Sequence, residues 1–106
     1  MIARMWRGEA VDVANADAYA RHLSETVVPE LRRLDGFRGA HLLRGRDGER
    51  IELRVLTLWE SREAIEAFAG QDIGVAVVEP EARAVLAAFD DFATHFDVTS
   101  FVPDEK

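Results

Sequence analysis

The 106 residues include no cysteine, which excludes disulfides, cysteine-based zinc sites and thiol nucleophiles and leaves no sign of an oxidising compartment. No uninterrupted apolar run approaches the ~20 residues needed to cross a bilayer. The opening MIARMWRG carries charge within its first seven residues, where a secretion signal would have a long apolar core. Basic clusters dense enough to follow a phosphate backbone are also missing. With a formal charge of −7 and a sequence pI near 4.9, nucleic acids and anionic membranes make poor partners. The three histidines are scattered, with no HxH or HExxH spacing, so the sequence predicts no built-in metal site. Gly36, Gly39 and Gly48 are turn punctuation, not a phosphate loop. A cytoplasmic protein is the expectation.

What is present is apolar and periodic. Hydrophobic residues make up 48% of the chain, enough for one core in a single domain over residues 1–102, with 103–106 as a polar tail. The most informative stretch is Leu53 to Gly70, LRVLTLWESREAIEAFAG. Leu53, Val55, Thr57 and Trp59 share one face of a strand, while Leu56 and Leu58 make the other face apolar too, so both need cover. At Glu60-Ser61 the period changes to 3.6. Ser61 is a good N-cap, Glu63 suits the first turn, Ala64, Ile65 and Phe68 form a stripe, and Gly70 stops the helix.

Around this stretch, Ile2 to Arg7 reads as a first strand closed by Gly8. Tyr19, Leu23, Val27, Leu31 and Leu34 then recur at helical spacing, with Asp12 or Asn15 as cap, and Pro29 predicts a break or fresh start near Val28. Asp35-Gly36 marks an exit. Phe37 to Arg44 is a strand with Phe37, Gly39, His41 and Leu43 on one face, and the Asp47-Gly48 pair predicts a type I′ hairpin into the next strand. Asp72 is a possible cap, and Pro80 opens a last helix reaching Phe89. Phe92, Phe96 and Val98, alternating with Ala93, His95 and Phe101, form the final strand. Strand, helix, strand, strand, helix, strand is the split βαβ order of an α+β, ferredoxin-like fold: a four-stranded antiparallel sheet with helices on one face. The opposite face would leave apolar side chains in water, and a second copy of the chain is the economical cover.

The residues Leu56-Thr57-Leu58-Trp59-Glu60-Ser61, with Gly36-Phe37-Arg38-Gly39-Ala40 before them, Phe68-Ala69-Gly70 after them and an Asp90 to Phe96 ending, resemble the antibiotic biosynthesis monooxygenase family over nearly the whole chain. The resemblance implies a dimeric α+β barrel formed by two chains, with a pocket between helices and sheet in each. It also implies a range of activities: oxidation of phenols or hydroquinones without metal or flavin, haem degradation, or no established reaction. In the phenol-oxidising members a strand-end Trp lines the pocket, which corresponds to Trp59, while an Asn and a Tyr of that subgroup fall at Val55 and Ile65. The Asn, Trp and His ligand of the haem-degrading members fall at Ala3, Phe68 and Val78, which disfavours haem.

A cofactor-free oxygenase needs few polar groups, since a deprotonated electron-rich phenol can itself reduce oxygen inside a dry cavity. The candidate bases are His95, which shares a strand face with Asp97, and His41, whose neighbours make its face look buried; each also has a purely structural reading. His22 reads as solvent-facing. Trp59, Phe68, Tyr19, Phe37 and Trp6 are the candidate ring-packing walls. Arg4 could steer an anionic substrate, although ion pairing with Glu52 or Glu60 explains Arg4 and Arg54 as well. No cofactor is called for, and the expected ligand is an apolar or aromatic small molecule. The alternative function is a binding or stress-related protein that uses the same pocket without turnover.

Overall fold

The computed structural model describes residues 1–100 and 102. Its strands are β1 (Ile2–Ala10), β2 (Phe37–Asp47), β3 (Arg50–Trp59), β4 (Ala88–Phe89) and β5 (Thr94–Asp97), and its helices α1 (Val13–His22), α2 (Val28–Leu31), α3 (Arg62–Ala69) and α4 (Pro80–Val85). All strand pairs are antiparallel, in the order β2-β3-β1, with β4 and β5 both on the free edge of β1. This is the ferredoxin-like α+β arrangement that the element order predicts, with five strands instead of four. The extra count arises because the last strand is interrupted. Between β4 and β5 the chain leaves β1 and pairs with the irregular segment 71–79, where Ala76 N–H donates to Asp91 O at 2.9 Å and Ala93 N–H to Gly74 O at 2.8 Å. The expected position of Phe101 and the tail 103–106 lie outside the described residues.

Local chemistry explains most of the boundaries. Asp12 caps α1 by accepting the Asn15 N–H at 2.8 Å, and Ser61 caps α3 by accepting the Ala64 N–H at 3.2 Å. Pro29 breaks the first helix where expected, by a specific device: Leu23–Val27 is a π-helical turn in which Val28 N–H reaches back to Leu23 O, and α2 then starts with the proline in its first turn. β1 continues through Gly8 to Ala10 instead of closing there. The hairpin turn is Gly48-Glu49, with positive φ at Gly48 only, so it is the type II′ pattern, not I′. The last helix ends at Val85 because Leu86 turns to an extended conformation, and Phe89 joins β4. Asp72 caps no helix; its carboxylate accepts the Gly74 N–H at 3.1 Å in a local turn.

One register fact alters the reading of β2. Phe37 opposes Trp59 but Gly39 opposes Leu58, so Arg38 is the extra residue of a β-bulge and the alternation flips there. Phe37, Ala40 and Leu42 therefore share the helix side, whereas His41 and Leu43 point to the open side. Core side chains fill the helix side in two groups, one around Tyr19, Leu23, Leu53, Val55 and Leu86 and one around Ile2, Leu31, Trp59 and Ile65. The open side carries Ala3, Met5, Leu56, Leu58, Leu43 and Phe96, the last two 46% and 55% exposed. At its hairpin end, Arg7 bridges Glu9, Asp47 and Glu52 at 2.6–2.7 Å. The Arg7 hydrogen bond foremost, then those with Asp47 and Arg50, hold the Glu9 carboxyl down at about 2. No described helix is long and apolar enough to cross a membrane.

Candidate functional site

Where the two core groups meet, side chains from the sheet, the first helical run, α3 and segment 71–79 enclose a cavity. Trp6, Val55, Thr57 and Arg4 form its floor; Tyr19, His22, Leu23, Val27 and Leu31 descend from the helices; Phe68 closes one end, and Val77, Val78, Glu79 and Ala82 the other. The space open to the centre of a water molecule is about 60 Å³. At roughly 10–15 Å³ per water on that measure, it holds on the order of four to six waters, comparable to one substituted aromatic ring. A second hollow of about 260 Å³, beside Val13, Arg44 and Ile51, opens widely to solvent and has no aromatic wall.

The aromatic groups do different jobs. Trp6 and Tyr19 stand with ring centroids 6.0 Å apart and both face the cavity. Trp59 does not face it. Its ring is fully buried between Phe37 at 5.3 Å and Phe68 at 6.0 Å, and its Nε1–H donates to Thr57 Oγ1 at 2.8 Å. Trp59 thus orients a cavity-lining hydroxyl from one layer behind the wall, and Phe37 lies further back still.

Arg4, only 4% exposed, is committed to holding segment 71–79 in place. Its guanidinium donates to Ile73 O and, at 3.0 Å, to Val75 O, packs 5.8 Å over the Phe68 ring, and lies 2.9 Å from His95 Nε2. Because a guanidinium only donates, His95 must accept at Nε2. Burial, then the nearby Arg4 and Arg62 charges, push the His95 pKa down. The carboxylate partnership expected with Asp97 is replaced by a cationic neighbour, and the lone pair that a base would use is already engaged. His95 is not among the residues lining the cavity, and His41 is exposed on the opposite side of the sheet. Nor do the ion pairs expected of Arg4 form: Glu52 pairs with Arg7 and Arg54, and Glu60 with Arg38.

His22 is the residue that sequence reasoning missed. Its place at the end of α1, next to Leu23, suggests a wet helix surface, yet its side chain is 9% exposed and lines the cavity. Its buried Nε2 has no hydrogen-bond partner; the nearest carboxylate oxygen, Glu79 Oε2, is 4.0 Å away. Burial and the proximity of Glu79 raise the pKa of Tyr19, so its phenol stays protonated near neutrality. Among the described residues, His22, Glu79 and Glu81 form a group whose ligand atoms lie within 4.8 Å of one another, close enough to share a divalent ion. No spacing rule finds this group, because α1 and the start of α4 meet only in the fold.

A family model for antibiotic biosynthesis monooxygenase matches residues 10–80. The chain belongs to that family. Solved structures with the same fold include a heme-degrader, MhuD, from Mycobacterium tuberculosis with two hemes bound in its active site: 21% identity, covering 97% of this chain and 100% of that one, TM-score 0.64. Another is SnoaB, a cofactor-independent oxygenase from Streptomyces nogalater: 16% identity, 97% and 98% coverage, TM-score 0.60. A candidate antibiotic biosynthesis monooxygenase from Bacillus cereus aligns at 15% identity over 99% and 97% of the two chains, TM-score 0.64. No curated protein matches. At these identities the likeness extends to the fold, and the reading of the site rests on this chain's own residues.

Proposed function

We propose that this protein is a cytoplasmic, homodimeric, cofactor-independent monooxygenase acting on a phenol or hydroquinone with a single ring. The observation that carries the reading is the cavity itself: a mostly apolar, ring-sized space walled by Trp6, Tyr19 and Phe68, with few polar groups. Once deprotonated, the bound phenolate reduces oxygen directly. With phenol itself as the simplest case, the overall change is phenol plus O2 to quinone plus water, so the substrate supplies all four electrons. Arg4 contributes by fixing segment 71–79 across the cavity. Haem does not fit the residues present, because Val78 stands where the resemblance places the ligand histidine.

The open sheet face supports the dimer. Met5, Leu43, Leu56, Leu58 and Phe96 form an apolar surface beside the Arg7 charge network, the composition expected of a face that packs against its own copy.

The test is oxygen consumption by chelator-treated protein with single-ring hydroquinones and catechols, and with three-ring anthrones for comparison. Uptake above autoxidation, one O2 per hydroxylated quinone formed with water and no hydrogen peroxide as the other product, faster for the single-ring compounds and abolished by Ala82→Trp, is the expected result. Compounds that bind without oxygen uptake would instead establish a binding protein on this scaffold.

A further inference from the structure

We propose that the end of the cavity formed by His22, Glu79 and Tyr19 is a phenol-ionising subsite, in which His22 Nε2 receives the proton of the bound aromatic hydroxyl. The ligand class rests on the oxygenase reading above; the receiving atom and the orientation of the ring are new. A buried ring nitrogen without a partner is uncommon in a folded protein and costs free energy unless something binds there. Nε2 of His22 is such an atom, on a side chain that lines the cavity.

The surroundings suit a proton transfer. Glu79 Oε2, at 4.0 Å, is too far to occupy Nε2 in the resting state but near enough to stabilise the imidazolium once formed. The Glu81 carboxylate lies within 4.8 Å and adds negative charge. From the helix side the neighbouring titratable group is Tyr19, with ring centroids 6.4 Å apart, and its hydroxyl is held protonated. Arg4, the cation on the cavity floor, is bound to the Ile73 and Val75 carbonyls and to His95, whose own Nε2 is thereby occupied. His22 is therefore the histidine left to the cavity, with the Glu79 carboxylate beside it as its counter-charge. In the step, the O–H bond breaks, an Nε2–H bond forms and the electron pair stays on oxygen; no oxidant takes part. With the hydroxyl at His22, the ring lies against Trp6, Val55 and Phe68.

The experiment compares 3-nitrophenol with 3-nitroanisole, its methyl ether, binding to the full chain and to the His22→Phe and His22→Gln variants, at neutral pH, where the free phenol is largely un-ionised and an ordinary imidazole is largely neutral. In the unmodified protein, nitrophenol should bind roughly tenfold more tightly than the ether, the usual effect of one added hydrogen bond to a buried group, and should show the phenolate absorption band. Both variants should lose the band, and the phenylalanine variant should also lose the tenfold preference; the glutamine variant preserves size and polarity if the phenylalanine variant fails to fold, and its amide oxygen accepts the hydroxyl without taking the proton. A band that survives in either variant, or a preference that survives in the phenylalanine variant, would overturn the proposal. So would failure of nitrophenol to bind the unmodified protein, or stoichiometric Zn2+ binding through His22 that suppresses the band. Nitrophenol ionisation is read without oxygen, so a protein that forms the band but consumes no O2 contradicts the oxygenase reading and retains the subsite. Oxygen uptake without the band does the reverse.

Discussion

Replacing Arg4 with methionine isolates the role of the guanidinium, since methionine keeps an unbranched stem over Phe68 while removing every donor. Three interactions disappear: those to Ile73 O and Val75 O, and the contact with His95 Nε2. Hydrogen bonds from a charged donor contribute about 1.5–3 kcal/mol each, and bonds sharing one group do not add fully. The removal of a buried charge offsets part of the loss, because burial also lowers the Arg4 pKa. A net cost of about 2–4 kcal/mol follows. Each kcal/mol lowers the melting temperature of a chain this size by about 4–8 °C. The loss should concentrate in segment 71–79, whose remaining ties include Ala76 N–H to Asp91 O, Ala93 N–H to Gly74 O and Arg83 Nε–H to Val78 O. Hydrogen exchange at the Ala76 and Ala93 amides should accelerate more than exchange in the β1–β3 ladder. A stability change below about 0.5 kcal/mol, or acceleration spread evenly over the sheet, would refute the assignment of Arg4 as the pin of this segment.

Other residues carry separate expectations. Gly36→Ala should cost about 2–4 kcal/mol in denaturant melts, since an added Cβ would sit 2.6 Å from Ala64 Cβ at a φ of +90°. Gly45→Ala, with nothing within 4 Å, should stay near neutral. His95 has a folded pKa below its unfolded value, so its stabilising contribution is full above the unfolded value and is lost as pH falls toward the folded one. Thermal melts of His95→Gln should thus change less than the unmodified protein between pH values of about 7.5 and 5.5. Leu56→Glu on the open face should shift a dimer to monomer in sedimentation with the fold retained, and a sedimentation profile that does not change would remove that face from the interface.

The sheet-and-helix order was readable because its signals are local. β3 alternates cleanly, Ser61 and Gly70 bracket α3, and Asp12 caps α1. What was hidden depended on contacts between distant segments. The bulge at Arg38 reverses the faces of β2, so His41, which alternation placed with Phe37, lies on the opposite side of the sheet. Pairing of Asp91 and Ala93 with segment 71–79 splits the last strand, and no residue near Phe92 announces it. Within the site, Trp6, Tyr19, Phe68 and Arg4 line the cavity, whereas Trp59, Phe37 and His95 do not. Trp59 was misplaced for a physical reason: it stands on the correct face of β3, but Phe68 folds over it and forms the wall. His22 escaped notice because burial of a residue at the end of a helix depends on what packs there, in this case Glu79 and the start of α4.

The two tryptophans offer the most direct test of where the ligand sits. With Trp59→Phe, emission comes from Trp6 on the cavity wall; with Trp6→Phe, it comes from Trp59 behind that wall. Titration of each variant with a hydroquinone, corrected for the ligand's own absorption, should quench Trp6 strongly and Trp59 little, at the same ligand concentration. Strong quenching of Trp59 with Trp6 unaffected would place the ligand elsewhere and contradict the assignment of the helix-side cavity as the functional site.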